Sequence, residues 1–531
     1  MAASIPAAPR RSVRAAAAAS SPTPVGRRGP ISSASSAIVV IAASRFVAAV
    51  ASVAVTGPSY GRTGRIPCDP PGVTSRQTRF TEASLALTVG VVLADSSIVT
   101  LALPSILSDY DATVFGVSWV LTAFNLVLAL LILPAVRIAR SHPRAGWSAG
   151  VVVFVCASIA CAASGTAAVL IVARVAQAAG GALAVACAIE LLARLRGSHE
   201  LAAPVWGAAG TIGIAVGPAV GGLLTQLLEW QSIFILQVPL LLLVPLATVI
   251  RPAPPEPGRG GVLDLRPEVG LGLLSAGLTG ALFLLVILLT EGWGLSPIAA
   301  AATVSVIPLA ALAARWIADR AGPPTAAALA GGIAVAGGLA ALGVLPGASW
   351  ALTLQPQLLI GIGLALALPV LTLAALGGRD PNGSRAAATI AARHAGIVVG
   401  ILLLAPVLSA QLTAKQTEAT DATTAALLDA PVAADTKVSL ATALAAQIDA
   451  ADGRLPAIGP AFDSVTPAPG EEDAYATLEA DIQDQLERAA TSAFSLPFLA
   501  AALLAALALI PIARLGTRTG GTPWVIAAER H

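Results

Sequence analysis

Charge is scarce in this sequence: Asp, Glu, Lys and Arg make up 11% of 531 residues, against 56% apolar types. A soluble domain carries roughly a quarter charged residues. A chain this poor in charge has too little polar surface to dissolve and reads as an integral membrane protein. Cysteine is also rare, with Cys68 in a tail and Cys156, Cys161 and Cys187 in apolar runs. That scatter excludes a disulfide framework and a zinc site. His142, His199, His394 and His531 are equally dispersed, so no metal, redox centre or cofactor is expected. The absence of any GxxxxGK[ST] run removes ATP drive. With no triad or carboxylate pair in an aqueous setting, the chain reads as a non-enzyme, and no nucleic-acid partner is expected.

What the sequence has in quantity is long hydrophobic runs. About 20 apolar residues are needed to cross the hydrocarbon as a helix. Twelve segments qualify: 84–105, 117–138, 147–165, 168–193, 203–226 and 231–250, then 269–290, 297–318, 324–345, 350–376, 386–410 and 492–514. Cytoplasmic loops collect Lys and Arg. The loops after the even-numbered spans carry Arg137, Arg140, Arg144, Arg194, Arg196, Arg251, Arg259, Arg266, Arg315, Arg320, Arg379 and Arg385. The loops after spans one, three, five, seven and nine contain neither Lys nor Arg, and include Asp109, Asp111, Glu229 and Glu291. Both termini are therefore expected in the cytoplasm. The predicted organisation is a basic tail (1–82), a six-helix bundle (83–250), a Pro/Gly/Arg-rich cytoplasmic linker (251–268), spans seven to eleven (269–411), an acidic outer segment (412–491), span twelve (492–514) and a short tail (515–531).

The tail holds ten Arg against Asp69 and Glu82 and reads as disordered. An apolar stretch at 36–56 is rejected as a further span because Arg45 would sit near its middle, at a cost of about 2.5 to 3.5 kcal/mol. Met1 is the only Met, so an alternative is a misassigned start. The outer segment carries fourteen acids against Lys415, Lys437, Arg454 and Arg488. Leu440, Leu444 and Ile448, and then Tyr475, Leu478, Ile482, Leu486 and Ala489, recur at helical spacing. They predict an outer helical hairpin between spans eleven and twelve.

Ionisable groups inside spans are costly, and they are functional candidates for that reason. Asp95 lies near the centre of span one, where desolvation raises and a nearby cation lowers a carboxyl pKa. Arg174 in span four is the nearest candidate cation, and the two are read as the proton-coupling pair. Glu190 and Arg194, four apart, read as a surface pair. Asn125, Gln177 and Gln237 are cavity or substrate candidates, with interhelical hydrogen bonding as the alternative. Gly213, Gly217, Gly221 and Gly222 form a small-residue face that permits close helix contact.

LADSSIVTLALP (93–104) resembles the first-helix motif of the drug:proton antiporters of the major facilitator superfamily, the EmrB/QacA-like branch, with Asp95 on its acidic position. RVAQAAGG (174–181) is similar to the fourth-helix motif, and GTIGIAVGPAVGG (210–222) to the fifth-helix antiporter motif, with Gly213, Gly217, Pro218, Gly221 and Gly222 in register. WQSIFILQVP, GIGLALALP and RHAGIVVG follow in order. Two departures stand out. The loop after span two puts Arg140 where the motif has Asp, while the loop after span eight keeps Asp319 and Arg320. Those three residues are the cytoplasmic gate candidates. Members of the branch commonly have fourteen spans, and this chain offers twelve.

The resemblance implies an all-α, major-facilitator-type bundle of twelve helices in two six-helix halves, monomeric, in a bacterial inner membrane. It would export small amphipathic molecules or drugs in exchange for protons. Rival expectations are a metabolite transporter of the same fold and a non-transporting membrane receptor or assembly partner that uses the outer hairpin.

Overall fold

A computed structural model describes residues 75–240, 242–243, 265–318, 320, 322–345, 349–376, 383–451 and 458–515. Every regular element among them is helical. The N-terminal half comprises α1 (Ser75–Asp109), α2 (Val114–Ser141), α3 (Pro143–Ala162), α4 (Ala167–Arg196), α5 (His199–Leu227) and the short α6 (Ser232–Ile235). The C-terminal half comprises α7 (Arg266–Ile287), α8 (Pro297–Val304), α9 (Val306–Ala313), α10 (Arg315–Ala318), α11 (Pro324–Val344), α12 (Leu354–Leu376) and α13 (Ser384–Asp429). The chain continues through α14 (Ala434–Ala451), α15 (Gly459–Asp463) and α16 (Glu472–Ser492) to α17 (Ser495–Leu507) and α18 (Leu509–Ala513).

Ten helical stretches among the described residues are long and apolar enough to cross a membrane, and Pro297–Ala313 is a shorter apolar one. Large apolar side chains that a soluble protein would cover stand exposed, such as Val172 at 70% and Leu373 at 67%, as a lipid-facing surface requires. The expected sixth span begins as α6, but residues 241 and 244–250 lie outside the described residues. So do most of the 251–268 linker and of both tails.

Local chemistry sets the helix ends. Side-chain oxygens of Thr113, Thr166 and Ser198 accept from the backbone N–H groups of Gly116, Val169 and Leu201 at 3.0, 3.3 and 3.2 Å, supplying partners for first-turn donors. At its far end α4 stops on Gly197, whose φ of +86° needs a residue without Cβ.

The two halves repeat the same close pairings. In the first, α3 meets α4 where a Cβ on Gly150 would lie 2.9 Å from Gly180 O. In the second, α11 meets α12 where a Cβ on Gly331 would lie 2.5 Å from Gly363 O. Likewise α5 presses Gly213, Gly217 and Gly221 onto Gly90, Ser97 and Ile98 of α1, and α13 presses Gly396 and Gly400 onto Gly272 and Ala276 of α7. In these pairings a Cβ would strike the partner helix, mostly at its backbone. Gly222 faces across to α8, where a Cβ would run into Ala301. The halves join along α2 with α13 and α5 with α8, and buried apolar clusters run from one half into the other.

Two elements differ from expectation. The eighth span is broken at Ser305 rather than continuous. Pro308 lacks an N–H for the Val304 carbonyl and crowds it. The helix of the eleventh span does not stop at 410: α13 runs 46 residues to Asp429. At 1.5 Å per residue it is about 69 Å long, against a hydrocarbon core of about 30 Å. No Gly or Pro follows Pro406 until Pro431, which holds Ala430 in extended backbone with ψ of 138°. The acidic segment thus begins inside a helix and builds on three longer helices, α13, α14 and α16. It has its own apolar core, in which Leu440, Leu444, Phe462, Leu478, Ile482 and Leu486 pack with Leu427 of α13. The Tyr475 hydroxyl donates to Phe462 O at 2.9 Å. The side chain of Ile448 lies outside the described residues.

Candidate functional site

Asp95 sits in the middle of α1 with no solvent exposure. Its Oδ2 pairs with Nη1 of Arg174, likewise fully buried. Its Oδ1 accepts from Gln237 Nε2 at 2.7 Å and from Gln177 Nε2 at 3.3 Å. Arg174 and Gln177 are three apart on α4, so one face of that helix presents both. Arg174 Nη1 also donates to Gln177 Oε1 at 2.6 Å, and its Nε donates to Val120 O of α2 at 3.1 Å. Ser158 of α3 completes the network: its hydroxyl accepts from Gln177 at 2.9 Å and lies 2.6 Å from Gln237 Oε1. The guanidinium rests 4.1 Å over the Phe124 ring and 5.7 Å from that of Phe234. Its Nη2 has no hydrogen-bond partner, and attraction to the ring faces partly offsets that loss.

The carboxylate therefore has a cation and two amides as partners and no solvent exposure. A buried ion pair holds only when its remaining lone pairs are satisfied. Here α4 and the turn after α6 supply partners to Asp95, and α2 supplies Val120 O to Arg174. Three of the expected residues, Arg174, Gln177 and Gln237, converge directly on Asp95. The two glutamines bond across helices and are buried. Asn125 lies beside the network instead. Its Oδ1 accepts from Ser96 at 3.1 Å and from Nδ1 of His394 at 2.6 Å.

A second cluster lies at the far ends of α2 and α4. Arg140 Nη2 donates to Ser384 Oγ, at the first residue of α13, at 2.7 Å. Arg194 donates to Arg140 O at 2.8 Å and to Glu190 at 2.7 Å. Glu190 is buried and also meets His199 at 3.1 Å, so the expected surface pair is a three-residue contact in which Arg194 alone stays partly exposed. Arg140 thus bridges the halves through a hydroxyl where the motif would place an acid. Arg320 bonds back to Trp316 O at 2.9 Å and lies 6.0 Å from its ring, while Asp319 is outside the described residues. Sequence reasoning missed Ser158, Phe124 and Phe234, which carry no local signal in apolar spans. It also read His199 only as a dispersed histidine, and gave His394 no role beyond its place in RHAGIVVG.

A family model for the Major Facilitator Superfamily matches residues 85–414, which takes in Asp95, α4 and α5. The chain belongs to the major facilitator superfamily. Over 209 residues it is 32% identical to the drug efflux pump JefA of Mycobacterium tuberculosis strain H37Rv, covering 38% of this chain and 41% of the relative. Over 161 residues it is 35% identical to the tetracenomycin C resistance and export protein of Streptomyces glaucescens, covering 29% and 30%. The chain thus spans less than half the length of the curated relatives it matches. Among solved structures, a bacterial homologue of the human lysosomal transporter Spinster, inward-facing and unoccupied, aligns over 83% of this chain and 99% of its own. The TM-score is 0.56 at 14% identity. That likeness is one of fold.

Proposed function

We propose that this chain exports small, amphipathic molecules in exchange for protons, with Asp95 as the proton-carrying group. The observation that carries the reading is the Asp95–Arg174 pair, buried among α1, α2 and α4. Protonating Asp95 removes the countercharge of a buried guanidinium, which then needs water or substrate as a partner. A proton event is thereby converted into pressure to open the bundle. Asp95 is closed off in this arrangement, so proton exchange belongs to an open state reached by rocking of the two halves. A proton crossing 100 mV releases about 2.3 kcal/mol and each pH unit adds about 1.4, enough for roughly a hundredfold uphill gradient. The drug efflux and export proteins among the relatives support the substrate class.

The same reading includes twelve spans and cytoplasmic termini, with the acidic segment outside. It treats the chain as a monomer in a bacterial inner membrane. The test is efflux of a lipophilic dye from proteoliposomes with an imposed pH gradient. Wild-type protein should move dye only with the gradient. Asp95→Asn should stay in the membrane and lose the gradient-driven flux. Wild-type rates in that variant would overturn the assignment.

A further inference from the structure

Deep in the seam between the halves, α13 lies along α2, and His394 of one bonds to Asn125 of the other at 2.6 Å. Both side chains are buried, at 2% and 0% exposure. The protonation of this contact follows from the surrounding bonds. Asn125 Nδ2 donates to Leu121 O at 2.8 Å, and Oδ1 accepts from Ser96, so the amide orientation is set by its own partners. Oδ1 has no hydrogen to give, and His394 must donate from Nδ1. In the neutral ring, Nε2 is then a bare acceptor, and it is buried without a partner. Ser96 follows Asp95 in α1. A short chain of contacts therefore joins the C-terminal half to the residue next to the carboxylate.

We infer that His394 is a positioning residue of the transport cycle, tying α13 to α2 and α1 and holding the halves closed over the Asp95 network. The inference rests on the transport reading above. The Nδ1–H bond stabilises closure, because opening exchanges it only for bonds to water, which are weaker on balance. The orphaned Nε2 opposes closure by a comparable amount, because opening would give it water. Two opposed contributions at one ring leave the seam firm enough to close and weak enough to release, as a two-state element needs.

The experiment uses the full chain in lipid nanodiscs, with hydrogen exchange read across residues 117–141 and 384–411. His394→Ala should speed exchange in both stretches by about five- to tenfold, the scale of one buried hydrogen bond. His394→Asn keeps a donor near the Nδ1 position and should restore wild-type exchange. Asn125→Ala also removes the Ser96 bond and should speed exchange at least as much as His394→Ala, and the double variant should add nothing to Asn125→Ala. Equal exchange in His394→Ala and His394→Asn, whether slow or fast, would overturn the inference, as would additive effects in the double variant. Exchange needs neither gradient nor dye. A wild-type protein that moves no dye therefore sinks the transport reading, while the exchange data still decide the tie.

Discussion

In the N-terminal half α3 closes on α4 at Gly150 and Gly180, and in the C-terminal half α11 closes on α12 at Gly331 and Gly363. From there the halves part. α4 carries Arg174 and Gln177 into a network with Asp95, whereas the buried polar side chain of α12 is Gln357 alone. Between Glu268 and Glu291, α7 and its final turn contain no charge at all, while α1 places Asp95 at its centre. Shared pairings build the scaffold, and the buried Asp95–Arg174 pair of the first half is the feature on which the proposed proton coupling rests. With no solvent exposure, each charge of that pair depends on its protein partners.

The largest effect should come from breaking that dependence. Arg174→Leu leaves Asp95 buried and uncompensated and should cost about 3–5 kcal/mol. Thermal unfolding of the purified protein would read it as a large loss of stability. Adding Asp95→Asn should recover much of the loss, because the stranded charge is gone. A second test addresses the scaffold. Gly213→Ala drives a methyl into the Gly90 backbone and Gly396→Ala drives one into Gly272. If the halves are one scaffold used twice, both should cost about 1–3 kcal/mol and agree with each other. A large cost in one and none in the other would break the parity.

How much of this could be read in advance depended on whether a residue announces itself locally. Asp95 and Arg174 stand out as charges in apolar runs, and Gln177 follows Arg174 at one helical turn. Gln237 had only its polarity, and its bond to Asp95 spans 142 residues. Ser158 and Phe124 look like any packing residue until the helices assemble. His394 meets Asn125 across 269 residues, a distance over which no periodicity carries information. The true end of α13 was legible in the lack of Gly or Pro, yet the change from apolar to polar composition imitated a helix end. Polarity marks where a helix leaves the membrane. Breakers mark where it stops.

The smallest effect separates the aromatic partner of Arg174 from ordinary packing. Phe124 in the N-terminal half and Phe283 in the C-terminal half are both fully buried, but a guanidinium lies over the ring of the first. Replacing either with Leu removes similar apolar area and leaves a similar void, so the shared cost cancels in the comparison. What remains is the attraction between ring face and cation, worth about 0.5–2 kcal/mol when desolvated. Phe124→Leu should therefore unfold at lower temperature than Phe283→Leu. The excess should vanish when both changes are made in the Arg174→Leu background, where no cation is left to hold. If the two variants are equal in the wild-type background, the ring contributes packing alone, and the unpaired Nη2 of Arg174 must be tolerated without help from Phe124.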